Sequence, residues 1–384
     1  MQIHTILLII TSLLFASFSE RGLAMQDDLH TPHSLSVKKL PEIPIEIQTH
    51  IFSFLDQKSL LRTGVISKSW RKAAEVVWEN KVLDLSTKHL NEVDYNALAH
   101  GIFSSLILNH VKMEDICIFA LSSKLKHLDL RRCYRGDEGA KALASVNLSA
   151  LISLSFGETC ISDEGIKALV SGNSSTLTSL CLFANRIGVE GAKAIASANL
   201  SSLTYLNLSG SMTYGPCIGD EGAEALASGN LFALKNLNLR YNGISAKGAK
   251  GLALGNLSAL TELNLSRNNI GDEGAKALAS GNLSALKSLF LRESAIGKRG
   301  AKDLALGNLS ALTLLNLYGN SIGDEGAKEL ASGNLSTLTA LNLGGNNIGD
   351  EGKKELTSGN LSALTLLTLT LDGYWESPWP PKGY

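Results

Sequence analysis

One period governs most of this chain. Leu125, Leu151, Leu177 and Leu203 lie 26 residues apart, one step of 31 follows, and Leu234, Leu260, Leu286, Leu312, Leu338 and Leu364 resume the spacing of 26. Ten copies are clear, and two degenerate ones precede them around Leu83-Asp84-Leu85 and Leu106-Ile107-Leu108. A unit this short cannot bury an apolar face alone. Copies must therefore stack, and both ends of the stack need covers.

Residues 260–285 show what one copy contains. Leu263-Asn264-Leu265 alternates, which sends both leucines to one side of a strand and Asn264 to the other. The Asn that closes the strand (Asn185, Asn242, Asn268, Asn320, Asn346) is expected to bond backbone groups where the chain turns away, one rung per copy. Ile270 is expected to plug the core after that turn. A helix follows, with Asp272 as its N-cap, Glu273 favouring its positive start, and Ala275, Leu278 and Ala279 as its inward stripe. Gly274 has an equivalent in nine copies. Gly is a poor helix former, so its recurrence predicts close packing of helix against strand. Gly281-Asn282 is expected to end the helix with residues that tolerate positive φ.

Strand positions that face away from the core vary between copies. Aromatic residues and Arg are the usual anchors of protein interfaces. Phe183, Tyr205, Arg240, Phe290, Arg292 and Tyr318 are therefore the candidate target-binding residues on the concave face. A five-residue insertion within 209–217 lengthens one strand-to-helix loop. It is either a grafted binding loop or a neutral insertion.

The spacing LxxLxLxxN resembles the leucine-rich repeat, and Gly-Ala-Lys-Ala-Leu-Ala at 274–279 resembles its GALA type. The resemblance implies an α/β solenoid of the ribonuclease-inhibitor kind over residues 81–370, with parallel strands inside and helices outside. Residues 371–384 depart from the repeat, with Tyr374, Trp375 and Trp379 among prolines, and read as a C-terminal cap or tail.

Residues 40–80 follow another pattern. Ile43-Pro44-Ile45-Glu46-Ile47 and Ile51-Phe52-Ser53-Phe54-Leu55 precede Leu60-Leu61, Val65, Trp70 and Trp78. Pro44 suits a helix start, and Ile47, Ile51 and Leu55 then share one face. This resembles the F-box, with Ile43 in place of the usual Leu. The resemblance implies a three-helix module that binds a Skp-type adaptor protein and through it a cullin ubiquitin ligase. It further implies that Pro44, Ile47, Ile51, Phe52, Leu55, Leu60, Leu61 and Val65 face the adaptor, with Trp70 and Trp78 in the core. The alternative is a helical cap whose apolar face is buried against the solenoid. An F-box joined to GALA repeats is similar to effectors that pathogenic or symbiotic bacteria send into eukaryotic hosts, which implies export from a bacterium and action in the host cytosol.

Ahead of that block, Ile6 to Phe18 is an apolar run of about 13 residues, short for a membrane span and suited to a signal-peptide core. Gly22-Leu23-Ala24 offers small residues for cleavage, so 1–24 reads as a signal peptide and 25–39 as a linker. Met1-Gln2-Ile3-His4 lacks Lys and Arg, and an uncleaved anchor or a start at Met25 are the competing readings. A formal net charge of -1 argues against a general binder of nucleic acid or anionic membrane. Five cysteines with no CxxC pair suit a reducing compartment better than a disulfide framework or a zinc site. Asp-Glu pairs recur at helix starts, where capping explains them, and the eight histidines are scattered. The expectation is a non-catalytic, cofactor-free adaptor, with a stand-alone binding scaffold as the alternative.

Overall fold

The structure, a computed structural model, describes residues 82–84, 104–109, 125–133, 136–146, 149–172, 175–211 and 217–370. All belong to the unit spanning 80–384. The expected signal peptide, linker, F-box-like block and C-terminal tail lie outside the described residues.

Among the described residues the chain forms twelve strands: β1 (Val82–Asp84), β2 (Ser105–Ile107), β3 (His127–Asp129), β4 (Ser153–Ser155), β5 (Ser179–Cys181), β6 (Tyr205–Asn207), β7 (Asn236–Asn238), β8 (Glu262–Asn264), β9 (Ser288–Phe290), β10 (Leu314–Asn316), β11 (Ala340–Asn342) and β12 (Leu366–Thr368). From β3 onward, each strand leads to a helix before the next: α1 (Gly136–Ala144), α2 (Asp163–Ser171), α3 (Val189–Ser197), α4 (Gly219–Ser228), α5 (Ala246–Leu254), α6 (Gly271–Ser280), α7 (Lys298–Leu306), α8 (Gly323–Ser332) and α9 (Asp350–Ser358). The strands form one parallel sheet in sequence order. Each pairs with the equivalent residues one copy on: Glu262 opposite Ser288, Leu263 opposite Leu289, Asn264 opposite Phe290. The inserted residues leave the register intact, with Tyr205 opposite Asn236 and Asn207 opposite Asn238. Each helix packs on the helix of the next copy. None of the described helices is long and apolar enough to cross a membrane.

The core is the aliphatic column between sheet and helices. Leu260, Leu263, Leu265, Ile270 and Leu278 are fully buried, as are their equivalents Leu286, Leu289, Leu291, Ile296 and Leu304. Each such side chain stabilises the stack by roughly 1.5–3 kcal/mol relative to exposure. Buried Gly274, Ala275, Leu278 and Ala279 form the inner face of α6, the stripe the periodicity predicts.

The Asn rungs form as expected and bridge copies. Asn268 Nδ2 donates to the carbonyls of Leu239 and Leu265, both at 2.9 Å. Its Oδ1 accepts from the N–H of Asn242 at 2.9 Å and of Ile244 at 3.0 Å. Asn185 and Asn320 repeat all four contacts. Every rung closes the turn of its own copy and of the copy before.

Three local expectations are corrected. Asp272 does not cap its own helix: α6 begins after Ile270 with no side-chain cap. Its Oδ1 accepts instead from the N–H groups of Gly297 and Gly300, at 2.7 and 2.9 Å, and so caps α7 of the following copy. Asp137, Asp220 and Asp324 do the same for α2, α5 and α9. The α-helical Gly answers to the Ile plug and the preceding copy's helix, with the relayed Asp added in some copies, and not to a strand. A Cβ at Gly300 would lie 2.7 Å from Asp272 Oδ1, 2.8 Å from the Ile296 plug and 3.1 Å from Ala275 of the preceding helix. Gly281 does not use positive φ either, since its backbone is extended at φ -87 and ψ -167.

The relayed cap predicts a pH dependence. Burial alone would push the Asp220 carboxyl up. The Ser245 hydroxyl, the N–H groups of Ser245 and Gly248, and the charge of Lys247 outweigh it, so the group titrates below its ordinary range. The folded chain then holds this proton more weakly than the unfolded chain. Asp220 supports the fold fully above its unfolded value, near 3.8, and that support is lost as pH falls through the lowered folded value. Asp220→Asn is expected to lower the urea midpoint at neutral pH and to reduce the drop between neutral pH and about pH 3. An undiminished drop in the variant would contradict this account.

Candidate functional site

The sheet face opposite the core carries the variable residues. Its central column is used by the fold. Asn238, Asn264 and Asn316 are buried, and each Oδ1 accepts the N–H two residues on, from Arg240, Ser266 and Tyr318, all at 3.0 Å. Beyond these caps Arg240 and Tyr318 are partly exposed, whereas Ser266 at the same place is buried.

The six candidate target-binding residues separate accordingly. Phe290 is 2% exposed and Tyr205 is 8% exposed, so both form the floor of the face. Burial also raises the Tyr205 phenol well above its usual range. Phe183, Arg240, Arg292 and Tyr318 lie two residues beyond their strands and are half-buried. The Phe183 ring lies over Gly157 of the preceding copy, where a Cβ would overlap it, and the Tyr318 ring lies 3.0 Å from the Cβ position of Gly344 in the following copy. The candidate adaptor-facing residues Pro44, Ile47, Ile51, Phe52, Leu55, Leu60, Leu61 and Val65 lie outside the described residues.

Between β7 and β10 the structure assembles a cluster that alternation does not predict. The Tyr241 ring sits between two guanidiniums, with Arg240 Cζ at 5.1 Å and Arg267 Cζ at 4.9 Å from its centre. Arg292 Cζ lies 4.6 Å from the centre of the Tyr318 ring. Glu293 joins two of the arginines: Arg292 Nη2 approaches its Oε1 at 2.7 Å and Arg267 Nε its Oε2 at 3.1 Å. Tyr241, Arg267 and Glu293 are missed by period-2 reasoning because they lie three residues beyond their strands, where alternation would point them toward the core. All three have positive φ, at 57°, 57° and 49°, whereas the equivalent positions in the next two copies are Gly319 and Gly345. A non-Gly residue there costs roughly 1–3 kcal/mol. The same position holds Arg132, Glu158 and Ala184 in earlier copies, also at positive φ, so the conformation belongs to the repeat.

Nearer the start of the stack the charges are matched. Arg131 contacts Asp129 at 2.7 Å and Arg132 contacts Glu158 at 2.9 Å. The hydrogen bond to Asp129 holds the Arg131 guanidinium more firmly protonated than usual. Among the described residues no group of three His, Cys, Asp or Glu could hold a metal ion, and Cys133, Cys160, Cys181 and Cys217 are free thiols.

Comparison with known proteins agrees with this architecture. The F-box-like family matches residues 40–84. The leucine-rich repeat family matches seven segments, from 121–144 to 334–356. No curated protein matches the chain. An internalin from Listeria monocytogenes shares the fold, with a TM-score of 0.53 at 22% identity, covering 82% of this chain and 87% of that one. F-box-like and leucine-rich repeat segments are typically non-catalytic interaction modules.

Proposed function

We propose that this chain, which carries an F-box-like segment followed by a leucine-rich-repeat solenoid, is an adaptor that brings a target protein to a Skp-type protein and through it to a cullin ubiquitin ligase. The observation that carries this reading is the F-box-like match at 40–84 on the same chain as an interaction fold. Pro44, Ile47, Ile51, Phe52, Leu55, Leu60, Leu61 and Val65 dock on the Skp-type protein. The target rests on the outward sheet face, with Phe183, Arg240, Arg292 and Tyr318 as contacts and Tyr205 and Phe290 as the supporting floor. The adaptor contributes proximity and performs no chemistry. In this reading the repeats are of the GALA type, residues 1–24 direct export, and the protein is a bacterial effector that acts in a host cytosol.

Capture of the full chain by a purified eukaryotic Skp protein tests the adaptor role. Binding is expected to saturate, and Phe52→Glu combined with Leu55→Glu is expected to weaken it at least about a hundredfold, the effect of burying two charges at an apolar interface. The variant should keep the melting temperature of the repeats. Equal capture of the variant would sink the docking assignment. No capture of a folded wild-type chain would leave the second reading, a stand-alone scaffold that binds its target through the same outward sheet face.

A further inference from the structure

We propose that Arg240, Arg267 and Arg292 form a carboxylate-binding subsite that takes an acidic segment of the target protein. The inference rests on reading the outward sheet face as the recruiting surface, and it does not depend on the F-box-like segment.

Charge is the first argument. Arg267 and Arg292, from consecutive copies, both pair with the carboxylate of Glu293, and Arg240 of the copy before stacks on Tyr241. The neighbouring Glu262 accepts a hydrogen bond from the neutral amide of Asn236 at 2.9 Å and keeps its negative charge, so the three guanidiniums face two carboxylates. Arg240 Nε is buried and has no hydrogen-bond partner. A buried donor on a charged group is unfavourable until an acceptor reaches it. At the other end of the stack Arg131 and Arg132 each have their own carboxylate.

Geometry is the second argument. Stacking on Tyr241 and Tyr318 holds the guanidinium groups of Arg240, Arg267 and Arg292 in place. A fixed planar fork of N–H groups matches the two oxygens of a carboxylate, and little side-chain freedom remains to be lost on binding.

The extent of the cluster is the third. Three arginines fall short of the extended basic track that a nucleic acid needs, and the whole chain carries a net charge of -1. A short acidic stretch of polypeptide fits the cluster better.

The test measures fluorescence anisotropy of labelled hexaglutamate, hexaglutamine and a phosphothreonine hexapeptide on the full chain. Hexaglutamate is expected to bind more tightly than hexaglutamine, with an affinity that falls as salt rises to about 0.3 M. Arg240→Gln and Arg292→Gln should each weaken hexaglutamate about tenfold or more, the share of one charge-assisted contact. Arg267→Gly supplies the residue already used at 319 and 345, so it should lose affinity with no loss of melting temperature. Lys276→Gln, on the exposed side of α6, should change nothing. Equal binding of hexaglutamine, or wild-type affinity in the arginine variants, would overturn the subsite. Binding of the phosphothreonine peptide without hexaglutamate would overturn the carboxylate assignment in favour of a phosphoryl group. Skp capture of the same samples separates the two proposals: hexaglutamate binding without Skp capture supports the subsite and removes the adaptor reading.

Discussion

Asn268→Ala is expected to destabilise the repeat unit by about 4 kcal/mol, near the upper end of what one substitution does. The side chain is buried and makes four hydrogen bonds of 2.9–3.0 Å, two donated to Leu239 and Leu265 and two accepted from Asn242 and Ile244, besides a longer one to the Ser266 carbonyl at 3.4 Å. Alanine leaves two carbonyls and two amides inside the stack without partners. Each such group costs about 1–3 kcal/mol, and water entering the vacated space recovers part of the sum. The damage spans two copies, because Leu239, Asn242 and Ile244 belong to the copy before. Two neighbours set the scale. Asn264 makes one bond, to the Ser266 N–H at 3.0 Å, and Asn264→Ala should cost about 1 kcal/mol. Asn269 is exposed, and its replacement should stay within about 0.5 kcal/mol. Urea midpoints of the three variants check the order, and a loss at Asn268 no larger than that at Asn264 would remove the rung from its structural role.

Gly281→Ala is expected to cost about 3 kcal/mol, more than Gly271→Ala at about 1 kcal/mol, although only Gly271 has the backbone that favours Gly. Gly271 has a φ of +59° with nothing within 4 Å of its Cβ position, so alanine there meets only intrinsic strain. Gly281 has an ordinary extended backbone, but a Cβ would lie 2.5 Å from the carbonyl oxygen and 2.6 Å from the Cβ of Ala253 in the preceding helix. The overlap is largely with backbone and cannot be relieved by a rotamer. The two copies must separate, which also stretches the 2.7 Å bond from the Asn282 N–H to the Ala253 carbonyl. Gly255, Gly307 and Gly333 meet Ala227, Ala279 and Ala305 in the same way. Thermal unfolding of both variants decides the matter: a larger loss at Gly271 would mean that conformation, and not contact, selects Gly at these helix ends.

The residues of this chain divide by what their role depends on. The period, the inward leucines, the Ile plug, the helical stripe and the Asn rungs are legible in the sequence. Each depends on local periodicity repeated at a fixed separation, and a single copy displays it. The resemblance of residues 43–78 to the F-box is legible for a similar reason, because the spacing of its apolar residues lies within one short segment. Four other features belong to the tertiary structure. Asp272 looks like the cap of its own helix, yet its carboxylate reaches 25 and 28 residues ahead to Gly297 and Gly300. Gly281 looks like a residue chosen for its backbone freedom, yet the helix of another copy excludes its Cβ. Phe290 and Arg292 look equivalent by alternation, yet the one is buried and the other borders open surface. Tyr241, Arg267 and Glu293 become neighbours only because in-register parallel pairing sets equivalent residues of successive copies side by side. Local order follows from how a segment satisfies its own backbone and apolar stripe. The cap relay, the close glycine and the arginine cluster follow from contacts between copies, and only stacking brings those into being.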